Sequence, residues 1–320
     1  MSLTPEQIKG RIKKLALENN VDPIVLMRMY MIERFLERLS YSKYRKNFII
    51  KGGILVASMV GITMRSTMDI DTTVQNLNLT KEQISIIIND IAKIKLNDNI
   101  QFFINNVTTI MDNLEYPGIR IHIDSKLNNL IIPIKIDIST GDVITPHEIE
   151  YNYQLLLEKR SIQLLSYNLE TMLSEKIQTI LSRGVLNTRM RDFYDVNIIY
   201  SIYKNTIDFK KLALAFEKTC LIRNTKSLFL KYEDILNDIA TDNNLQQLWS
   251  NYQKKYAYAR KIEYNQTITI LLTILNKMQS IKESIWYQNI FLAHFQTNLC
   301  HFGIKHFVGV SFLYTYKLRR

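Results

Sequence analysis

Two aspartates separated by one residue lie inside a stretch that otherwise has the composition of a buried strand. The stretch is "MDIDTTV", residues 68–74, with Asp69 and Asp71 on either side of Ile70. Alternate residues of a strand point to the same side, so both carboxylates share one face while Ile70 enters the core. At about 4 Å, two such charges repel by roughly 4 kcal/mol at an effective dielectric constant near 20. The fold must therefore supply a metal ion, a proton or a basic neighbour.

A second apolar strand, "IKIDIST" at residues 134–140, carries another carboxylate, Asp137. If the two strands are neighbours, three carboxylates meet and can hold two divalent ions, Mg²⁺ or Mn²⁺. Such ions stabilise the attacking and leaving oxygens of phosphoryl transfer. The plain alternative is a surface strand whose acidic side chains face water.

A pair of glycines, Gly52 and Gly53, stands between the strand-like "NFII" and the apolar helix "ILVASMV". Glycine permits close backbone approach, and a helix N-terminus presents free N–H groups to an anion. A triphosphate fits such a turn. The P-loop pattern G-x-x-x-x-G-K-[ST] is absent, so an ordinary turn remains the alternative.

The order of patterns predicts an α+β protein. Thr4, Pro5 and Gln7 form a capping box at a helix start, and a second helix is expected after Pro23. Short strand-like runs follow, and the turn in "KLNNL" favours antiparallel hairpins over a doubly wound parallel sheet. From residue 165 the spacing is helical. We expect a mixed sheet with flanking helices in residues 1–155 and a helical domain in residues 156–320.

The helical half carries charged groups at regular spacing. On "LETMLSEKIQTILSRG", Lys176 and Arg183 are seven residues apart and share one face, where they can meet phosphates or RNA. In "NTRMRDFYDV", Asp192 lies near Arg189, and Arg191 stands four residues before Asp195. An intrahelical ion pair is the plain interpretation of the latter spacing.

The overall charge suggests a polyanionic partner. The chain of 320 residues has 41 Lys and Arg against 30 Asp and Glu, a net charge of +11. Cys220 and Cys300 are far apart, and no run of about 18 apolar residues or export leader is evident. We therefore expect a cytoplasmic protein without a membrane span.

In the aromatic segment 285–320, core or interface packing is favoured over a metal site on its histidines and Cys300.

Four ordered segments of residues 51–195 together resemble the AbiEii/AbiGii toxin family of nucleotidyltransferases, in the DNA polymerase β superfamily. The resemblance implies a polymerase-β-type mixed sheet followed by an α-helical C-terminal domain. The segments are "KGG…MRSTMDID", "KID", "LETMLSEKIQTILSRG" and "NTRMRDFYD".

The resemblance also implies roles for individual residues. Asp69 and Asp71 bind the catalytic metal ions, Asp137 is the third metal-binding carboxylate and helps deprotonate an acceptor hydroxyl, and Lys176 and Asp192 complete the catalytic set. Gly52–Gly53 stands where many members have Gly-Ser. The nucleotide-binding set is then Gly52, Gly53, Arg65, Thr67, Lys176 and Arg183.

The implied activity is transfer of a nucleoside monophosphate from an NTP to an acceptor, with release of pyrophosphate. The implied biology is that of a toxin in a type IV toxin–antitoxin or abortive-infection pair, with a separately encoded antitoxin. The basic charge favours RNA as acceptor, such as a tRNA 3′ end, while a protein acceptor stays open. The alternatives are a catalytically silent nucleotide- or RNA-binding module of the same fold, and an assembly protein that docks a partner through residues 285–320.

Overall fold

The computed structural model describes residues 3–77, 80–110 and 118–301, with side chains to residue 284. The segment 285–320 and the alternatives based on it lie outside the described side chains. In the first half the elements are α1 (Pro5–Asn19), α2 (Pro23–Tyr41), β1 (Phe48–Lys51), α3 (Gly52–Val60), β2 (Asp69–Val74), α4 (Lys81–Ala92), β3 (Ile100–Ile110), β4 (Gly118–Leu127), β5 (Leu130–Ser139) and β6 (Ile149–Gln154). They are followed by β7 (Ser161–Ser166), α5 (Leu169–Arg183), α6 (Met190–Tyr203), α7 (Phe209–Ile222), α8 (Tyr232–Thr241), α9 (Asn243–Lys255) and α10 (Tyr264–His301).

The seven strands form one mixed sheet in the order β3-β4-β5-β2-β1-β7-β6. The pairs β2 with β5 and β1 with β7 are parallel. The other pairs are antiparallel, including β4 and β5, which the turn in "KLNNL" joins as a hairpin. The predicted α+β class with antiparallel hairpins and a helical C-terminal region is confirmed.

Local capping chemistry explains where the first helices begin. The hydroxyl of Thr4 accepts from the N–H of Gln7, and the Gln7 side chain accepts from the N–H of Thr4, so the predicted capping box is present. Asp22 caps α2 through the N–H of Ile24, with Pro23 at the first helical position. Both predicted helix starts are confirmed.

The sheet and the helices bury one continuous apolar core. Helix α2 packs on β5 and β7, while α3 packs between β2 and α6. Helices α5, α6, α7 and α10 pack against one another beyond the sheet. The N-terminus of α3 meets Asp71 of β2, and the middle of α5 and the first two turns of α6 meet at the loop before β2. Within the described ranges, no helix combines the length and apolar character that a membrane span requires.

Strands β6 and β7 were not among the predicted strands. They form an antiparallel hairpin, and β7 lies beside β1 with Ile49 opposite Leu165. Their signal is a short alternation, as in "SIQLLS", where alternate residues are buried. Strand β7 completes the sheet although it lies beyond residue 155.

A buried ionic network attaches α2 to the β6–β7 hairpin. Arg34 contacts Glu37 at 2.8 Å and Glu158 at 2.9 Å. The carboxylate of Glu33 accepts from the backbone N–H of Leu156 at 2.9 Å. Burial raises the pKa of Glu33 to about 8, against the opposing effects of this hydrogen bond and of Arg34. Glu33 is therefore protonated in the folded protein at neutral pH.

We expect the free energy of unfolding to decrease between about pH 5 and pH 8, in part because of Glu33. The unfolded side chain loses its proton near the ordinary pKa of 4.5, whereas the folded one keeps it to about pH 8, so rising pH favours the unfolded state in this window. Glu33→Gln should flatten the slope and raise stability at pH 8, as measured by urea unfolding at several pH values. The control is the exposed Glu82→Gln. An unchanged slope in Glu33→Gln contradicts the prediction.

Candidate functional site

A row of four charged residues crosses the middle of the sheet. Lys51 lies opposite Asp71, Asp71 opposite Asp137, and Asp137 opposite Arg120, each on the next strand. Residues directly opposite one another on paired strands share a face. Two predicted carboxylates are therefore neighbours, with a cation on either side. Asp69, two residues before Asp71, has the same face, while Ile70 between them is buried, as predicted.

Asp71 is held at the N-terminus of α3. Its Oδ2 accepts from the backbone N–H of Gly53 at 3.0 Å. Burial raises the pKa of Asp71, and the Asp137 charge adds to this rise, whereas the Gly53 N–H and the charges of Lys51 and Lys176 oppose it. A cation next to Asp71 would stabilise its charged form.

The two predicted glycines allow a contact that no other residue permits. Gly52 has φ +62°, and a Cβ there would lie 2.2 Å from Oδ2 of Asp71. A Cβ on Gly53 would lie 2.9 Å from the hydroxyl of Thr67 and 3.2 Å from Nη2 of Arg65. The structure therefore brings Arg65, Thr67 and Asp71 directly against the turn between β1 and α3.

The third carboxylate, Asp137, is already paired. Nε and Nη2 of Arg120 donate to its two oxygens at 2.7 and 2.6 Å. The hydrogen bond to Asp137 raises the pKa of Arg120 against a smaller effect of desolvation, and the charges of Asp137, Asp69 and Asp71 add to it. In the described part of the chain, no three His, Cys, Asp or Glu side chains converge as a metal site. Asp69 and Asp71 still offer the oxygen donors that Mg²⁺ or Mn²⁺ prefers, so this donor set fits such an ion.

A second ionic cluster joins the loop before β2 to helices α5 and α6. Nζ of Lys176 donates to Asp195 at 2.7 Å and to Asp192 at 3.2 Å. Nε of Arg65 donates to the other oxygen of Asp195 at 2.7 Å. The prediction of an intrahelical ion pair between Arg191 and Asp195 is therefore wrong. Asp195 faces inward, and both cations that bind it lie on other elements.

Burial and pairing fix the charges of this cluster. Burial opposes ionisation of Asp195, but the charges of Arg65 and Lys176 outweigh it and lower the pKa of Asp195. Burial likewise opposes the charged form of Lys176, yet Asp195 and Asp192 leave its pKa above the ordinary value. Arg65 is only 2% exposed, so it contacts the glycine turn from inside the protein.

The two clusters belong to one site. The charge of Lys176 acts on Asp71, and Arg65 contacts both Asp195 and the space beside Gly53. Arg183 is the exception among the predicted residues, because it lies exposed at the end of α5, about 10 Å along the helix from Lys176.

Four residues of the site were not predicted: Lys51, Arg120, Asp142 and Asp195. Nζ of Lys51 donates to Asp142 at 2.5 Å. Two of them have a signal in the sequence. Lys51 stands immediately before the glycines, and Arg120 lies in the alternating "GIRIHID". Their partners depend on which strands are neighbours, and that information is not local.

Comparison with known proteins gives a family and a fold. Residues 34–268 match the family described as "Nucleotidyl transferase AbiEii toxin, Type IV TA system". Among solved structures, MenT4, a nucleotidyltransferase toxin from Mycobacterium tuberculosis H37Rv, superposes with a TM-score of 0.53 at 13% identity, covering 84% of this chain and 98% of that one. JHP933 from Helicobacter pylori gives a TM-score of 0.45 at 15% identity, over 83% and 97%. No curated protein matches the sequence.

Gly52→Ala should lower the free energy of unfolding by about 1–3 kcal/mol more than Gly184→Ala does. Both positions have positive φ, but a Cβ at Gly184 meets no atom within 4 Å, whereas at Gly52 it collides with Asp71. The control therefore isolates the collision from the backbone strain. Urea unfolding measures the difference, and equal losses in the two variants contradict the close approach of Asp71 to the turn.

Proposed function

The chain belongs to the AbiEii nucleotidyl transferase toxin family, and from this premise we propose that it is a metal-dependent enzyme that transfers a nucleoside monophosphate from an NTP to RNA, with release of pyrophosphate. The family is a type IV toxin–antitoxin family, so an NTP substrate and a separate antitoxin go with it. Its proposed place of action is the cytoplasm, where NTPs and RNA are available.

One observation carries the proposal: a partly buried carboxylate, Asp71, accepts from a helix N-terminal N–H with two further carboxylates on its face. Asp69 and Asp71 are the residues that would hold Mg²⁺ or Mn²⁺. When bound, the ion supplies positive charge to the transferring phosphoryl group. Asp137 is the proposed third metal-binding carboxylate, which also helps to accept the proton of the attacking hydroxyl.

The remaining residues have proposed roles in holding the triphosphate. The Gly53 N–H is donated to Asp71, and the N-terminus of α3 at this turn still carries the positive end of the helix dipole, which suits a phosphate. Lys176 supplies a fixed positive charge beside Asp71, and Asp192 shares it. Arg65 and Thr67 support the turn from behind, since Arg65 is buried and paired with Asp195.

A segment with exposed cations and two partly buried tyrosines supports RNA as the acceptor. In residues 254–261, "KKYAYARK", Tyr256 and Tyr258 stack with ring centroids 5.3 Å apart at 23°, and the four cations around them are exposed. The ring of Tyr258 packs 4.8 Å from Tyr194 on α6, the helix that carries Asp192. Aromatic platforms flanked by cations suit single-stranded RNA, such as a tRNA 3′ end.

The direct test is incubation with each α-labelled NTP, Mg²⁺ and total tRNA. We expect label on RNA, and its formation should fall by more than about 100-fold in Asp71→Asn because the site loses a charge that stabilises the transition state. Asp124→Asn is the matched control, since Asp124 lies on β4, on the same face as Arg120 but four residues further along. Full transfer by Asp71→Asn contradicts the assignment.

The same experiment distinguishes the transferase from the rival function. A catalytically silent nucleotide- or RNA-binding module gives no label with any NTP, although a thermal melt still responds to RNA or nucleotide. Label on protein instead of RNA would support the assignment as a transferase but would show that the acceptor is a protein.

Tyr256→Ala should weaken binding of a labelled single-stranded RNA by about 5- to 150-fold, because one stacked base contributes about 1–3 kcal/mol. Tyr256→Phe keeps the ring and should bind nearly as the unmodified protein does. Fluorescence anisotropy measures the affinity, and NTP binding followed in parallel should stay unchanged. If Tyr256→Ala and the unmodified protein bind RNA with equal affinity, this segment is not part of the acceptor-binding surface.

A further inference from the structure

The pairing of Arg120 with Asp137 occupies a carboxylate that the proposed reaction needs. Both oxygens of Asp137 accept from one guanidinium, at 2.7 and 2.6 Å, across directly opposite positions of β4 and β5. Two-pronged contacts of this kind are among the stronger side-chain hydrogen bonds. In this arrangement Asp137 faces Arg120.

Arg120 also offsets the negative charge of the two β2 carboxylates, from the β4 end of the row of charged residues. The charges of Asp69 and Asp71 act on it in addition to that of Asp137. Lys51, at the other end of the row, is bound to Asp142 at 2.5 Å. The side chain of Arg120 is 38% exposed, whereas that of Arg65 is 2% exposed. Solvent therefore reaches the side chain of Arg120, whereas that of Arg65 is enclosed.

We propose that Arg120 is an exchangeable counter-ion of Asp137, which it holds until a divalent ion and the nucleotide bind and then releases. The inference rests on the proposed function, because it takes the three carboxylates as the metal site. The physical reason is competition: the oxygens of Asp137 cannot serve a guanidinium and a divalent ion equally, and the two cations repel each other. Once released, the guanidinium would have a new partner in the polyphosphate, for which its planar set of N–H donors is suited.

This exchange makes metal binding depend on nucleotide. Without nucleotide, a divalent ion must displace Arg120 with no new partner for the guanidinium, so binding is weak. With nucleotide, the phosphates replace Asp137 as that partner. Arg120 thus couples assembly of the metal site to arrival of the substrate.

The test measures Mn²⁺ binding by electron paramagnetic resonance without nucleotide, and so does not depend on activity. Arg120→Ala should bind Mn²⁺ about tenfold more tightly than the unmodified protein. In an Asp137→Asn background the same substitution should change affinity by less than about threefold, because the released carboxylate is gone. Arg120→Lys, which keeps the charge but loses the paired N–H donors, should be intermediate.

The controls distinguish the possible failures. Arg45→Ala removes the same charge from a surface pair with Glu150 and should leave Mn²⁺ affinity unchanged. No gain in Arg120→Ala, or an equal gain in the Asp137→Asn background, overturns the exchange, the latter because Arg120 then acts through its charge alone. If no variant binds Mn²⁺, or if Asp71→Asn binds it as the unmodified protein does, the proposed metal site fails and the exchange with it.

Discussion

The parallel pairing of β2 with β5 is the constraint on which the site depends. Its register sets Asp71 opposite Asp137, and the antiparallel partners on either side add Lys51 and Arg120 to the same row. A slip of one residue would turn Asp71 to the opposite face and remove Ile70 from the core. The apolar residues that alternate with the charges therefore hold the carboxylates together, and repulsion between them is offset by the flanking cations and the Gly53 N–H.

The helical half completes the site through one buried carboxylate. Asp195 is fully buried and joins Arg65, which precedes β2, to Lys176 on α5. Removal of either cation would leave the buried carboxylate of Asp195 with one counter-ion instead of two, which destabilises its charged form. The cluster thus fixes α5 and α6 against the glycine turn, and it holds the Lys176 ammonium near Asp71. The sheet thus supplies three carboxylates together with the cations Lys51 and Arg120, and α5 adds the cation Lys176.

Local patterns were sufficient for much of the fold. The alternation around Ile70 predicted the shared face of Asp69 and Asp71, and capping residues located the first helices. The resemblance predicted the family and fold class, which are confirmed, whereas the roles of single residues remain predictions. Contacts between distant segments were not predictable: spacing favoured Arg191 as partner of Asp195, but burial selects Arg65 and Lys176. Likewise, nothing near Asp137 in the sequence identifies Arg120 as its partner, because strand order decides that contact.

The most direct test of the central claim, that the carboxylates of β2 form the metal and nucleotide site, is a crystal structure with Mn²⁺ and a non-hydrolysable NTP analogue. The account predicts an anomalous manganese peak at Asp69 and Asp71, with phosphates at the N-terminus of α3. Nucleotide bound elsewhere, with no manganese at these aspartates, would contradict it.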